Sequence, residues 1–238
     1  APAAVPTAAP ADAPPVTTCR AHARIGLVGN PSDGFFGKTI SLSIANFWAE
    51  VSVWPSARLC IVPHPLNDPT SFGSLADLHG VVDKEGYAGG VRLLLAVCKK
   101  FHAMAAARGL SLPKRNFTMA YDTNVPRQVG LAGSSAILTA ALKALMAFYG
   151  LGDAQMPKVS LPNFILSVEK EELGINAGLQ DRVIQAYNGC VFMDFSKELM
   201  QQRGYGHYER LPVSHVSHTA CHVHVARARV CVSVCVSV

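Results

Sequence analysis

Several features that point to common functions are missing from this sequence of 238 residues. Charged residues make up 16% of it, and part of the formal charge of +5 comes from Arg210, Arg227 and Arg229 near the end. There is no basic stripe of the kind that nucleic acid binding requires, so we expect no nucleic acid partner. No run of residues approaches the ~18 apolar positions of a membrane span, so we expect no membrane partner either.

Regular cysteine spacing is also missing. The seven cysteines are odd in number and contain no CxxC pair. Disulfide frameworks use an even number of cysteines and zinc sites use closely spaced pairs, so this pattern favours reduced thiols and a cytoplasmic location. The chain begins with Ala rather than Met, which suggests a processed protein or a fragment, with a removed targeting peptide as an open alternative.

Composition divides the chain into three regions. Residues 1–20 are dominated by Ala and Pro and predict a disordered linker. Residues 21–210 carry the apolar periodicity of a folded domain, in a chain that is 50% hydrophobic. Residues 211–238 are mostly Val, Ser, Cys and His and predict a low-complexity tail. The His and Cys residues from His215 to His224 do not follow a zinc template, so a metal site there is not favoured.

The order of apolar patterns predicts an α+β domain in which helices cover a mixed or antiparallel sheet. A first strand begins near residue 21, and alternation through residues 38–54 predicts two or three more strands. Residues 64–83, rich in Pro, Asp, Ser and Gly, predict a loop. The remaining predictions are strands at 59–62, 116–122 and 190–195 and helices at 89–108, 134–149, 161–172 and 179–187.

The most informative stretch, residues 122–136, reads DTNVPRQVGLAGSSA. Its loop, with Pro126, Gly130 and Gly133, runs from a predicted strand into a predicted helix. Glycines let the backbone approach an anion, and the helix start adds unpaired N–H groups and the positive end of its dipole. The loop matches neither the Walker pattern nor GxGxxG. Two interpretations stay open: a phosphate site, or an ordinary helix start capped by Ser134.

Two further stretches place polar residues where packing would favour apolar ones. RIGLVGNPSD runs from Arg24 to Asp33 and presents Asn30 in a turn, although a plain turn would also use such residues. In SVEKEELGINAGLQDR, Glu169 and Asp181 lie on either side of a junction broken by glycines. Two carboxylates near one phosphate loop can bind Mg²⁺ and accept a proton, respectively. A solvated helix face is the alternative.

Taken together, these stretches resemble the GHMP kinases, a family named for galactokinase, homoserine kinase, mevalonate kinase and phosphomevalonate kinase. P-x-x-x-G-L followed by S-S-A is similar to the ATP-binding motif of that family, and RIGLVGNPSD is similar to its opening strand. The spacing of galactokinase-like members is reproduced by Glu169, Glu171, Gly174, Gly178 and Asp181. The resemblance covers about residues 24–208 and implies the family's N-terminal domain, a fold similar to ribosomal protein S5 domain 2.

By position, the resemblance implies roles for individual residues. Asp181 and Arg24 correspond to catalytic residues, Glu169 to a ligand of Mg²⁺, and Asn30 and Asp33 to residues that bind the substrate. The implied nucleotide-binding residues are Pro126, Gly130, Leu131, Ala132, Gly133, Ser134, Ser135 and Ala136. The loop is one residue longer than the common pattern, so the serine that reaches the metal is either Ser134 or Ser135.

Within the family, GNPSD, YDTNVPRQ and AGLQDR are most similar to the branch that phosphorylates D-glucuronic acid at its anomeric hydroxyl. The resemblance implies ATP and Mg²⁺ as cofactors and small molecules as partners. A uronic acid needs a cation near its carboxylate, and Lys38 and Arg127 are candidates because both lie beside the motifs.

The second domain of GHMP kinases has no counterpart in the sequence, so we expect a truncated chain. Two alternatives to the glucuronic acid kinase therefore stay open. One is an inactive or regulatory fragment that binds nucleotide or sugar without turnover. The other is a kinase of a different sugar, such as galacturonic acid or arabinose.

Overall fold

A computed structural model describes residues 15–85, 89–212, 222–226 and 229–233. Its strands and α-helices, in chain order, are β1 (Thr17–Val28), β2 (Lys38–Ser56), β3 (Cys60–Ile61), α1 (Leu75–Glu85), α2 (Gly90–Ala107), β4 (Asn116–Thr123), α3 (Gly133–Tyr149), α4 (Leu161–Ser167), α5 (Gln180–Tyr187), β5 (Cys190–Asp194), α6 (Lys197–Arg203), β6 (His207–Leu211), β7 (His222–Ala226) and β8 (Arg229–Ser233). Turns of 3-10 helix at Ser32–Phe35 and Lys158–Ser160 and a π-helical turn at Val168–Glu172 complete the regular structure. The predicted α+β class is confirmed.

The long strand β2 is the centre of the main sheet. It pairs antiparallel with β1 along most of its length. On the opposite edge its first half pairs with β5 and its second half with β4, both antiparallel. The parallel pair of β3 with β4 makes the sheet mixed, and β6 extends it beyond β5.

The prediction of two or three strands across residues 38–54 is wrong, because β2 is continuous through a bulge. His22 of β1 lies opposite Trp48, whereas the next residue, Ala23, lies opposite Ile44. Residues 45–47 therefore lie between consecutive partners on β1. Such a bulge interrupts the alternation of buried and exposed side chains. In the sequence this interruption resembles the end of a strand, which is why separate strands were predicted.

The main core forms where α2 and α3 cover one face of the sheet. Ala49, Val51 and Val53, alternate residues of β2, are fully buried in the same cluster as Leu138 and Leu142 of α3. Burial of each such Leu contributes roughly 1.5–3 kcal/mol. The predicted helix that leads out of the phosphate loop is confirmed, and this packing fixes the position of its N-terminus.

The predicted loop and part of the predicted linker have regular structure instead. The stretch expected to be a loop contains α1, whose start is capped by Ser74: its Oγ accepts a hydrogen bond from Asp77 N at 3.1 Å and donates one to Asp77 Oδ2 at 2.8 Å. Residues 17–20, assigned to the linker, are the first four of β1. Residues 1–14 of that linker lie outside the described residues.

The predicted tail has regular structure in three places. Leu211 ends β6, and β7 and β8 pair as an antiparallel two-stranded sheet. The segment from His215 to Cys221 lies outside the described residues. In the part of the chain that the structure covers, no helix combines the length and apolarity needed to cross a membrane.

Candidate active site

The predicted phosphate loop connects β4 with the N-terminus of α3. Gly130 and Ala132 adopt left-handed backbone conformations, with φ of 75° and 61°. Ala132 occupies the N-cap position of α3, where no side chain forms a capping hydrogen bond in the described structure. The first-turn N–H groups thus keep their capacity for an anion, next to the positive end of the helix dipole. Of the two interpretations left open, capping by Ser134 does not occur.

A buried glutamine supports this loop from behind. Gln185 of α5 is 1% exposed and donates from Nε2 to the Ala132 carbonyl at 2.9 Å. The same carbonyl accepts from Ser135 Oγ at 3.1 Å. Ser135 and Ala136 are buried in the first turn of α3. The Ser135 hydroxyl therefore bonds within its own turn rather than toward a ligand.

Ser134 and Glu169 form the candidate metal site. The Ser134 hydroxyl donates to Glu169 Oε1 at 3.3 Å, and Glu169 is fully buried in the π-helical turn. Burial raises the pKa of Glu169, while Arg182 and Ser134 act in the opposite direction. A hydroxyl and a carboxylate are oxygen donors of the kind that Mg²⁺ prefers, and they lie close enough to share one ion. The residues therefore fit a magnesium ion, with Ser134 rather than Ser135 as the hydroxyl.

Arg24 joins the phosphate loop to the second carboxylate. Its Nε donates to Asp181 Oδ1 at 2.5 Å, and its Nη1 donates to the Gly130 carbonyl at 2.8 Å. The Arg24 and Asp181 side chains are 13% and 19% exposed. Asp181 Oδ2 lies 3.4 Å from Arg182 Nη1, a long contact that leaves this oxygen able to accept a further hydrogen bond.

Asp33 reaches the same region from the 3-10 turn after β1. Its Oδ2 accepts a hydrogen bond from Gln180 N at the start of α5, at 3.0 Å. Gly178 makes this approach possible, because a Cβ at that position would lie 2.1 Å from Asp33 Oδ2. The glycine predicted from family spacing thus has a steric reason.

Two cavities flank this group of residues. The first, which we call the polar cavity, has a volume of about 350 Å³, and its lining includes Arg24, Asn30, Asp33, Gly178, Asp181 and Arg182. The second, which we call the loop cavity, has a volume of about 360 Å³, and its lining includes Pro126, Arg127, Leu131 and Gly133. Gly130, Ala132 and Ser134 line both. The phosphate loop therefore faces both cavities.

Two predicted substrate residues do not line the polar cavity. Lys38 Nζ lies 3.1 Å from Asp194 Oδ2. Arg127 lines the loop cavity and donates to the Asn67 carbonyl at 2.5 Å. Within the described lining of the polar cavity, the basic side chains are Arg24 and Arg182.

Arg182 and Gln185 are the site residues that sequence reasoning missed. They lie three positions apart in α5, on the face that packs toward Glu169 and Ala132. A polar pair at helical spacing usually lies on a solvated face, so the spacing alone does not reveal burial. The available signal was the position of Arg182, directly after a predicted catalytic carboxylate.

Residues 92–189 match the GHMP kinases N terminal domain. Together with the curated relatives, this match confirms the resemblance to the GHMP kinase family that the motifs predicted. One relative is Glucuronokinase 1 of Arabidopsis thaliana, 53% identical over 196 residues that cover 82% of this chain and 53% of that protein. The chain thus spans about half the length of the curated relatives it matches.

Solved structures share the fold. Lactococcus lactis galactokinase complexed with galactose has a TM-score of 0.62 at 19% identity, over 84% of this chain and 47% of that one. A D-glycero-D-manno-heptose 1-phosphate kinase from Bacteriodes thetaiotaomicron has a TM-score of 0.60 at 22% identity, over 84% and 60% of the two chains. The predicted fold of the family's N-terminal domain is confirmed.

Proposed function

We propose that this chain phosphorylates D-glucuronic acid at its anomeric hydroxyl, with ATP as the phosphoryl donor. The observation that carries the proposal is the link made by Arg24, which bonds both Asp181 and the phosphate loop. The choice of sugar is supported by 53% identity to a protein named Glucuronokinase 1. The proposed partners are small molecules, and a cytoplasmic location stays a prediction.

In the proposed reaction, the sugar lies in the polar cavity, the phosphates of ATP lie at the phosphate loop, and the rest of the nucleotide lies in the loop cavity. Asp33 and Asn30 hold sugar hydroxyls, which places the anomeric hydroxyl near Asp181. Asp181 Oδ2 accepts the proton as that hydroxyl oxygen bonds to the γ-phosphorus, and ADP leaves with the electrons of the broken P–O bond. Arg24 keeps this carboxylate at a fixed position relative to the loop, because positioning supplies much of the catalysis in phosphoryl transfer.

Glu169 Oε1 and Ser134 Oγ are the groups that would hold Mg²⁺. When bound, this ion neutralises charge on the phosphate oxygens. The protein contributes the orientation of both ligands, since Glu169 is fully buried and Ser134 lies in the first turn of α3. Lys38 and Arg127 were predicted to bind the carboxylate of the sugar. Neither lines the polar cavity, so their role stays a prediction.

The Asp181→Asn variant tests the chemistry. It keeps the size of the side chain but cannot take the proton, so we expect the rate of ADP production to fall by at least about a hundredfold. The affinity for ADP should stay within about threefold, because Asp181 does not face the loop cavity. Asp153→Asn, at an exposed acid outside the site, is the matched control. A near wild-type rate in Asp181→Asn would remove this residue from the mechanism.

A panel of free sugars and uronic acids tests the substrate. We expect the highest kcat/KM with D-glucuronic acid, and a preference for another sugar would contradict that assignment. Because the chain spans about half the length of its curated relatives, nucleotide binding without turnover is the second candidate function. ADP binding by calorimetry, combined with no ADP production on any sugar, would favour this second candidate.

A further inference from the structure

All the contacts that the structure gives for the guanidinium of Arg182 are with groups of the candidate site. Its Nε donates to Glu169 Oε2 at 2.5 Å, and its Nη2 makes a second ion-pair contact with the same oxygen. Its Nη1 donates to the Gly178 carbonyl at 2.9 Å and lies 3.4 Å from Asp181 Oδ2. One side chain therefore touches the proposed metal ligand, the proposed base and the glycine that admits Asp33.

The two nitrogens on Oε2 determine which oxygen of Glu169 is available. Because Oε2 is occupied by Arg182, Oε1 is the oxygen that faces Ser134 at 3.3 Å. The planar fork of a guanidinium fixes such an arrangement, whereas an ammonium acts as a single point charge. Arg182 thus selects the carboxylate orientation that directs Oε1 to the start of α3.

Charge and burial make this arrangement difficult to replace. The Glu169 side chain is 0% exposed and the Arg182 side chain is 6% exposed, so each would lose its compensating charge in the interior if the other were removed. Arg24 compensates Asp181 in the same way. The four side chains form a chain of alternating charges, Arg24–Asp181–Arg182–Glu169, in which Arg182 is the link between the two carboxylates.

We infer that Arg182 is a positioning residue for metal-dependent nucleotide binding: it orients Glu169 toward Ser134 and connects Glu169 to Asp181. This inference rests on the proposed function, since it assigns Glu169 to Mg²⁺ and Asp181 to the proton. A purely structural ion pair would stabilise the fold without affecting the coupling between metal and nucleotide. The two roles therefore differ in a quantity that can be measured at equilibrium.

The test compares ADP affinity in Mg²⁺ with ADP affinity in EDTA, by calorimetry on the full 238-residue chain. The dissociation constant in EDTA divided by the dissociation constant in Mg²⁺ measures the coupling of metal to nucleotide. We expect Arg182→Met to reduce this ratio at least about tenfold, the scale at which loss of a partner of a metal ligand weakens metal binding. The metal-free affinity should stay within about threefold, because Arg182 does not line the loop cavity.

Two further variants keep the result interpretable. Lys143→Met removes another cation that bonds α5, through the Gln185 carbonyl at 3.0 Å, without contact to either carboxylate, and it should leave the ratio unchanged. Arg182→Lys keeps the charge without the fork and should recover only part of the wild-type ratio. If Arg182→Met does not fold by circular dichroism, Arg182→Lys decides: a reduced ratio supports the inference and a wild-type ratio overturns it.

An unchanged ratio in folded Arg182→Met overturns the inference, and so does an increased ratio, which would mean that Arg182 competes with the metal for Glu169. Both leave the proposed function standing. A wild-type chain that binds no ADP, or binds it without response to Mg²⁺, would instead overturn the proposed function and the inference with it.

Discussion

At the residue scale, the approach of Gly178 to Asp33 sets the shape of the polar cavity. A methyl group at this position would lie 2.1 Å from Asp33 Oδ2, so Gly178→Ala must displace the carboxylate or the loop before α5. We expect KM for the sugar to rise at least about tenfold, because small displacements of positioning groups have large kinetic effects. Steady-state kinetics at saturating ATP measure this change.

The affinity of Gly178→Ala for ADP should be unaffected, since Gly178 lines the polar cavity and not the loop cavity. Gly152→Ala is the control, because the nearest atom to its added methyl group lies 4.0 Å away. An unchanged KM in Gly178→Ala would show that Asp33 does not contact the sugar.

We expect His22 to make the stability of the fold depend on pH. Burial lowers the pKa of His22 from its usual 6.5, with Arg20 and Lys143 adding to the effect, and its Nδ1 has no hydrogen-bond partner in the described structure. Between the folded pKa and 6.5 the unfolded chain binds more protons at this residue, so stability falls as pH falls through that window. We expect His22→Leu to reduce the loss of stability between about pH 7.5 and about pH 5.5.

Urea unfolding midpoints at the two pH values give the measurement. His102→Gln, at an exposed histidine of α2, should retain the full wild-type difference. If His22→Leu loses as much stability on acidification as the wild-type chain, another group is responsible for the dependence.

Some residues of the site could be predicted from the sequence and others could not. Arg24, Asp33, Glu169 and Asp181 come together as their motifs indicated, because glycines and polar residues in family spacing are visible in one dimension. Arg182 was not assigned a role, since its function depends on burial against a helix turn 13 residues earlier. A contact of that kind is set by packing and leaves no local pattern.

At the scale of elements, α2 packs on β4 through a glycine at its start. A Cβ at Gly90 would lie 2.1 Å from the ring of Tyr121, whose hydroxyl donates to Asp68 Oδ2 at 2.6 Å. Asp68 Oδ1 in turn accepts from Val91 N at 3.2 Å. We expect Gly90→Ala to lower the free energy of unfolding by about 1–3 kcal/mol, the usual cost of overpacking.

Urea denaturation measures this loss. Gly80→Ala in α1 is the matched control, because its methyl group would meet no atom within 4 Å. That variant should be neutral or stabilised by up to about 1 kcal/mol through helix propensity. Equal stabilities of the two variants would mean that α2 can shift away from Tyr121 at no cost.

Elements with a strong pattern were predicted and elements without one were not. α3 was predicted within one residue because most of its side chains are buried between helices and sheet. α1 was read as a loop, since its described large apolar side chains are not packed into the core: Leu75 is 82% exposed and Leu78 is 37% exposed. In both cases the result depends on whether burial of the helix left a recognisable apolar pattern in the sequence.

At the scale of the whole molecule, bound nucleotide should stabilise the fold. ADP with Mg²⁺ at about 100 times its dissociation constant should raise the free energy of unfolding by about 2.7 kcal/mol. We expect EDTA to reduce this gain, because it removes the ion that Glu169 and Ser134 would hold. Urea unfolding with and without EDTA measures the difference, and AMP, which lacks the β-phosphate of ADP, is the control ligand.

Without nucleotide, EDTA should leave the unfolding midpoint unchanged. Among the residues described, no group of three His, Cys, Asp or Glu side chains could hold a structural metal. A midpoint that EDTA lowers equally with and without ADP would contradict the assignment of the metal to the nucleotide site.

The central strand β2 also sets an order of events on the ribosome. Its second half has all its partners, in β1 and β4, once residue 123 has been synthesised. Its first half pairs with β5 only after Cys190–Asp194 has been added, nearly 70 residues later. A nascent chain that has emerged only as far as α3 therefore carries the phosphate loop before Glu169 and Asp181 have been synthesised, so the proposed site can assemble only after α5 follows.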